Sequence, residues 1–270
     1  MSRLSTDRLQ LRRDRLYVSL EPESLAVCRV RGFFVSRIVS KTRQEIDAQY
    51  GPAPWDGVVE ALKKHLDALK AERLDVTIVL SNRLVRYALV PYDAALAGPE
   101  EGLALARFHF TRIYGERAKG WDLRLSEAAA GRPRIASGTD EGLVSALRAC
   151  VPRGGRARLV SVQPYLMAAF NQWRGGPQGK SGDGAWLVLL ERDRACFALA
   201  SRDGWHAVQS LRLQDPQEVF ELLEREALRA GGKPSRKAMI FGGRPAAGSG
   251  WQVGYSPVDD ARYAMALSAL

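Results

Sequence analysis

Apolar positions along this chain alternate between strand-like and helix-like spacing, and the changeover is sharpest at residues 158–173. Leu159, Val160 and Val162 form a short apolar run, the pattern of a buried strand. Pro164 then supplies a fixed φ at a first helical position. Leu166, Ala169, Phe170 and Trp173 follow at helical spacing. A buried strand running directly into a helix with one apolar face reads as an internal joint. Punctuation follows it (Gly175, Gly176, Pro177, Gly179, Gly182, Gly184), and a new apolar strand starts at Trp186.

Before the joint, residues 16–20 and 25–30 predict a hairpin that turns at Glu21-Pro22-Glu23-Ser24, with a third strand over 33–39. A helix starts at Pro54, with Val58, Leu62, Leu66 and Leu69 on one face and Lys63, Lys64, Asp67 and Lys70 on the other. Residues 76–80 form a compact apolar strand of the kind buried on both faces. Ser81-Asn82-Arg83 turns the chain into a strand over 85–92. Gly98-Pro99-Glu100-Glu101 opens a helix with Pro first and acids in the first turn; its face is Leu103, Ala106, Phe110 and Ile113. Strands over 123–129 and 133–137 and a helix over 141–150 complete this half. After the joint come three strands (186–191, 196–201, 206–212) and a helix start at Asp215-Pro216-Gln217-Glu218. A strand over 238–241 ends in Gly242-Gly243, and a strand over 251–255 and a closing helix from 260 follow.

Both sides of the joint therefore read strand, strand, strand, helix, strand. This is a repeat of structure rather than of sequence. It predicts an α/β chain with two sheets flanked by helices: a first lobe over 1–165, a second over 166–270, and an inserted segment at about 82–156.

Composition narrows the class. The 270 residues suffice for about two domains, and no apolar run approaches the ~18 residues that span a bilayer. Residues 1–15 lack the apolar core of a signal peptide. Cys28, Cys150 and Cys196 lie far apart in apolar segments, as reduced core thiols do. His65, His109 and His206 are too dispersed for a zinc site. The net charge of +10 suits nucleic acid or an anionic membrane surface, but its arginines are spread out. No aromatic-basic platform or named motif supports nucleic acid.

A duplicated three-strand-plus-helix unit with a hinge resembles the actin and sugar-kinase superfamily, with its ribonuclease H-like halves. Within it, four stretches resemble PilM-type pilus assembly proteins, MSHA-pilus accessory proteins and the cytoplasmic domain of the type II secretion protein GspL. These are residues 77–86 followed by Val90-Pro91, residues 100–114 with the strand at 121–127, the crossover at 160–170, and residues 218–227 with 238–243. The resemblance implies an actin-like, duplicated two-lobe α/β fold with an inserted α+β subdomain in the first lobe.

Nucleotide-binding members of that superfamily hold phosphates on two acidic, glycine-bearing turns, because glycine lets backbone N–H groups approach the phosphate. The matching places here are Ser19-Leu20-Glu21-Pro22 and Glu191-Arg192-Asp193-Arg194. Neither has a glycine, and Pro22 removes a donor. Only the third element, Gly242-Gly243, is kept. Ser19, Glu21, Glu191, Gly242 and Gly243 thus mark a vestigial nucleotide site, and ATP with Mg is disfavoured as a cofactor. Gly-Gly-Pro-Gln-Gly-Lys-Ser at 175–181 is one residue short of a phosphate loop and lies between helix and strand, the wrong order. No serine sits in G-x-S-x-G, and no acidic cluster suits a two-metal nuclease.

The expectation is accordingly a non-catalytic scaffold of a type IV pilus or type II secretion-like assembly platform, cytoplasmic and peripheral to the inner membrane. The alternative is an actin-like ATP-binding protein or weak ATPase with divergent phosphate turns. By resemblance, the first lobe holds the short cytoplasmic peptide of a PilN-like membrane partner beside the inserted subdomain; the motor ATPase is a second implied partner and an anionic membrane surface a weak third. Carried onto this chain, the groove involves Tyr87, Phe108, Phe110 and Tyr114 as apolar contacts, with Arg83 and Arg86 fixing backbone or acidic groups.

Overall fold

A computed structural model describes residues 13–32, 36–47, 51–94, 98–128, 131–152, 154–180, 184–201, 203–231, 235–246 and 248–270. Strands β1 (Asp14–Glu21) and β2 (Ser24–Arg31) pair antiparallel across the Pro22-Glu23 turn. Both are buried almost throughout. β3 (Arg37–Glu45) is the outer strand on β2. It starts later than the expected 33–39 and runs through the polar stretch Lys41–Glu45; residues 33–35 lie outside the described residues. The cause is position: β3 is a sheet edge exposed along nearly its whole length, so pairing with β2 places it and apolar content does not. Helix α1 (Asp56–Ala68) buries Val58, Leu62 and Leu66, and β4 (Leu74–Leu80) then lies parallel to β1.

The chain next leaves this sheet. β5 (Val85–Val90), α2 (Pro99–Tyr114), β6 (Trp121–Leu125) and β7 (Arg134–Asp140) form a small sheet of order β5-β7-β6 covered by α2. Phe110, Ala106, Leu123 and Ala136 make its separate core. α3 (Glu141–Cys150) is capped by Asp140, whose carboxylate accepts from Leu143 N–H at 3.1 Å. Although it follows the inserted strands, α3 sends Leu143 and Leu147 into the first-lobe core with α1. β8 (Ala157–Pro164) returns parallel to β4, giving the order β3-β2-β1-β4-β8.

β8 differs from the buried strand expected of the joint. It is the other edge of its sheet and half exposed, with Val160 at 53 %. A short apolar run cannot distinguish a central strand from an edge strand. The helix after it behaves as its spacing predicts: α4 (Tyr165–Gly175) buries Leu166, Ala169 and Trp173.

β9 (Ala185–Glu191), β10 (Arg194–Ser201) and β11 (Gly204–Arg212) repeat the meander. Asp215 accepts from Gln217 N–H at 2.8 Å, opening a single 3₁₀ turn that leads into α5 (Val219–Ala230). β12 (Lys237–Phe241) lies parallel to β9, and β13 (Gln252–Tyr255) lies parallel to β12. The second sheet is thus β11-β10-β9-β12-β13, the same meander-then-parallel order as the first. α6 (Ala261–Leu267) then crosses back, packing Tyr263, Ala266 and Leu267 on Tyr17, Ala26, Cys28 and Val30 of the first sheet.

The lobes share packing. Val79 of β4 and Ile135 of β7 join the cluster of α4, β9 and β10. The inserted sheet also touches the second lobe, where Arg132 lies 3.3 Å from Asp203 and β5 meets β11.

Candidate functional site

The carboxyl ends of β1, β4, β9 and β12 converge between the two sheets, the place where open α/β sheets present ligand clefts. A cleft of about 780 Å³ opens there. Glu21 ends β1 on one wall, Glu191 ends β9 on the other, and Tyr165, Gly242, Arg43, Arg192 and Arg262 complete much of the lining. Three positions marked in the sequence, Glu21, Glu191 and Gly242, are therefore brought together. Ser19 is buried within β1 and does not line the cleft. Gly243 is not among the lining residues either; an added Cβ there would crowd Leu190 Cδ1 at 2.9 Å.

Glu191 is the most perturbed carboxyl group here. Burial raises its pKa from 4.5 to about 7, and neighbouring Glu21 adds to the rise. The Asn82 N–H donates to its Oε1 at 3.1 Å, while Oε2 is buried with no hydrogen-bond partner. Burial also pushes up the pKa of Glu21. The buried Tyr165 hydroxyl is likewise unpartnered.

Arg83, expected in a peptide groove, instead lies between the two acidic turns. Its guanidinium grips Glu23 bidentately, with Nη2 at 2.7 Å from Oε1 and Nη1 bonded to Oε2. Its Nε lies 3.7 Å from Asp193 Oδ1 in the second lobe. The turn Ser81-Asn82-Arg83 thus ties both turns together, through Asn82 to Glu191 and through Arg83 to Glu23 and Asp193. Those turns hold the following groups. Pro22 has no N–H, Glu23 and Asp193 already face a guanidinium, and Glu191 sits in a setting that favours its protonated form. Of the lining arginines, Arg43 is engaged by Glu45 and Arg262 by Asp260. Arg83→Ala should lower stability by about 1–2 kcal/mol, because it strips a charge-assisted bidentate contact from a half-buried carboxylate. Urea denaturation of the two proteins checks this, and coincident midpoints would show the clamp to be energetically idle.

The other expected groove residues are dispersed. The Tyr87 ring is directed inward, and its hydroxyl donates to Asn82 Oδ1 at 2.7 Å. Arg86 donates to the carbonyls of Arg83 (2.9 Å) and Val85 (3.0 Å), closing its own turn. Phe110 is fully buried in the inserted core, and Tyr114 packs on Trp121 in a tilted arrangement with centroids 5.1 Å apart. Phe108 alone of the six is an open apolar surface, 60 % exposed on α2, a helix that also exposes Leu103 and Ile113. Sequence reasoning missed Glu23 and Tyr165 as cleft residues; their sole signal was position beside a strand end.

Two matched lobes with a cleft at their strand ends define the class: the chain has the actin-like ATPase fold. It superposes on a Bacteroides thetaiotaomicron protein of actin-like ATPase fold and unknown function with a TM-score of 0.62, at 11 % identity, over 100 % of this chain and 99 % of that one. It is equally similar to a structure of the PilM–PilN type IV pilus biogenesis complex (TM-score 0.63, 14 % identity, 94 % of this chain and 97 % of that one). A third likeness is to the cytoplasmic domain of EpsL, an inner-membrane component of the Vibrio cholerae type II secretion system (TM-score 0.61, 12 % identity, 95 % and 94 %). No family model and no curated protein sequence matches the chain.

Proposed function

We propose that this protein is a non-catalytic scaffold of a type IV pilus or type II secretion-like assembly platform, which holds the cytoplasmic peptide of a PilN-like membrane protein. The observation that carries this reading is likeness over nearly the full length of both chains to PilM–PilN and EpsL structures, with no large part left over on either side. The cleft supports it: the two turns that hold phosphates in nucleotide-binding relatives are here joined to each other by Asn82 and Arg83. Among the described residues no helix is long and apolar enough to cross a membrane, so on this reading the membrane partner recruits the scaffold. The lobes would be 1–165 and 166–270.

Phe108 is the anchor for the peptide, since it is the large aromatic side chain of the expected groove that is still open to solvent. The test is capture of the N-terminal cytoplasmic peptide of a PilN-like protein from the same genome, read by titration calorimetry. Phe108→Ser should weaken binding about tenfold or more while changing stability by less than about 0.5 kcal/mol. Mg-ATP should give no heat of binding. Micromolar Mg-ATP binding, or no capture of the peptide by the native chain, would reject the scaffold in favour of a nucleotide-dependent protein.

A further inference from the structure

At the opposite end of the first sheet from the cleft, the amino ends of β1, β4 and β8 gather arginines. Arg13, Arg148 and Arg158 line a hollow of about 870 Å³ together with Pro152, Gly154 and Gly155. Arg73 and Arg156 immediately precede β4 and β8, and Arg31 ends β2 beside the start of β1. All six are exposed. The acids at this end are already shared among several cations. Asp75 takes both Nε and Nη2 of Arg158, at 3.1 and 3.0 Å, with Arg13 at 3.8 Å. Asp14 is held by Arg29 and Arg31, and Glu72 by Arg29. Arg148 has no ion pair among the described residues.

A blunt end that concentrates guanidinium groups around a glycine-lined hollow suits phosphate oxygens, which accept two N–H bonds from one guanidinium. The breadth of the patch beyond the hollow suits a plane of phosphates rather than one small molecule. We propose that this end of the first lobe is a docking face for the phosphate headgroups of an anionic lipid surface, with Arg148 the guanidinium open to one headgroup in the hollow, while Arg158 is held by Asp75 and Arg13 by the Leu74 and Arg156 carbonyls. This rests on the scaffold reading, which calls for a protein held beneath a membrane, and it adds an orientation: the cleft faces away from the bilayer.

The test is co-sedimentation of the full chain with phosphatidylcholine vesicles containing one-third phosphatidylglycerol, against vesicles of phosphatidylcholine alone. The native chain should bind the anionic vesicles and not the neutral ones. Arg148→Gln with Arg158→Gln should weaken that binding about 30-fold, at the yield expected for two surface cations. Arg107→Gln with Arg112→Gln, the same charge change on exposed positions of α2, should leave it within about twofold. A melting curve guards against misfolding, and Arg148→Gln alone, which breaks no pair within the described residues, should still lose several-fold. No binding to anionic vesicles, or equal loss in both double variants, overturns the proposal. Release by inorganic phosphate well below the ionic strength at which chloride releases the protein overturns it in favour of a soluble-anion site. Peptide capture without vesicles should be unchanged in Arg148→Gln/Arg158→Gln, so failure of the lipid face and failure of the scaffold reading are separable.

Discussion

Glu191→Gln should stabilise the protein at about pH 8 by about 3 kcal/mol, and by far less at about pH 5. The carboxyl group is buried, and its pKa is raised from an ordinary 4.5 to about 7. Between those values the folded chain keeps a proton that the unfolded chain has released. Stability therefore falls as pH rises from about 4.5 to about 7 and levels off above, where the buried group is charged in the folded state as well. Glutamine stays neutral throughout and still offers an oxygen to the Asn82 N–H, so the pH-dependent ionisation penalty disappears, and the buried amide N–H groups add a cost that does not vary with pH. Denaturation curves of both proteins across this pH range decide the matter. Parallel pH profiles would mean that Glu191 is charged at no cost, and that its surroundings are more polar than the structure describes.

Gly242→Ala should cost about 3 kcal/mol or more, whereas Gly231→Ala should cost about 1 kcal/mol. Both glycines have positive φ, 83° and 73°. They differ in what a methyl group would meet. Around Gly231 nothing lies within 4 Å. At Gly242 the new Cβ would run into the Leu190 carbonyl oxygen, which cannot move without disturbing β9, and would lie 3.3 Å from the Tyr165 hydroxyl. The comparison separates strain from collision. Equal losses in the two variants would show that the backbone gives way at Gly242, and with it the close seating of the β12 turn on β9. The same geometry supplies a reason for the Gly-Gly pair that needs no nucleotide: both residues lie against Leu190, at the end of the neighbouring parallel strand.

Much of the fold was legible because alternating and helical apolar spacing is a local property. The second meander, the helix at 219–230 and the strand over 238–241 lie where their own residues put them. Elements held by neighbours were less legible. β3 takes its place from pairing with β2, and β8 became an edge strand because nothing pairs beyond it. The cleft was half legible. Glu21, Glu191 and Gly242 were found since each closes a strand that the pattern had already delimited, and parallel strands deliver their carboxyl ends to one place.

The expected groove was poorly legible, for a related reason. Whether a tyrosine or arginine turns inward depends on residues far along the chain: Arg83 meets Glu23 across 60 positions and Asn82 meets Glu191 across 109. Such contacts leave no local spacing to read. By itself the sequence determined two α/β repeats and the absence of glycine from both acidic turns, because periodicity and residue type are written along the chain. Only the tertiary structure decided that those turns are clamped to each other, that Tyr87 and Phe110 point inward, and that the arginines gather at one end. Those outcomes depend on which surfaces meet once distant strands are paired.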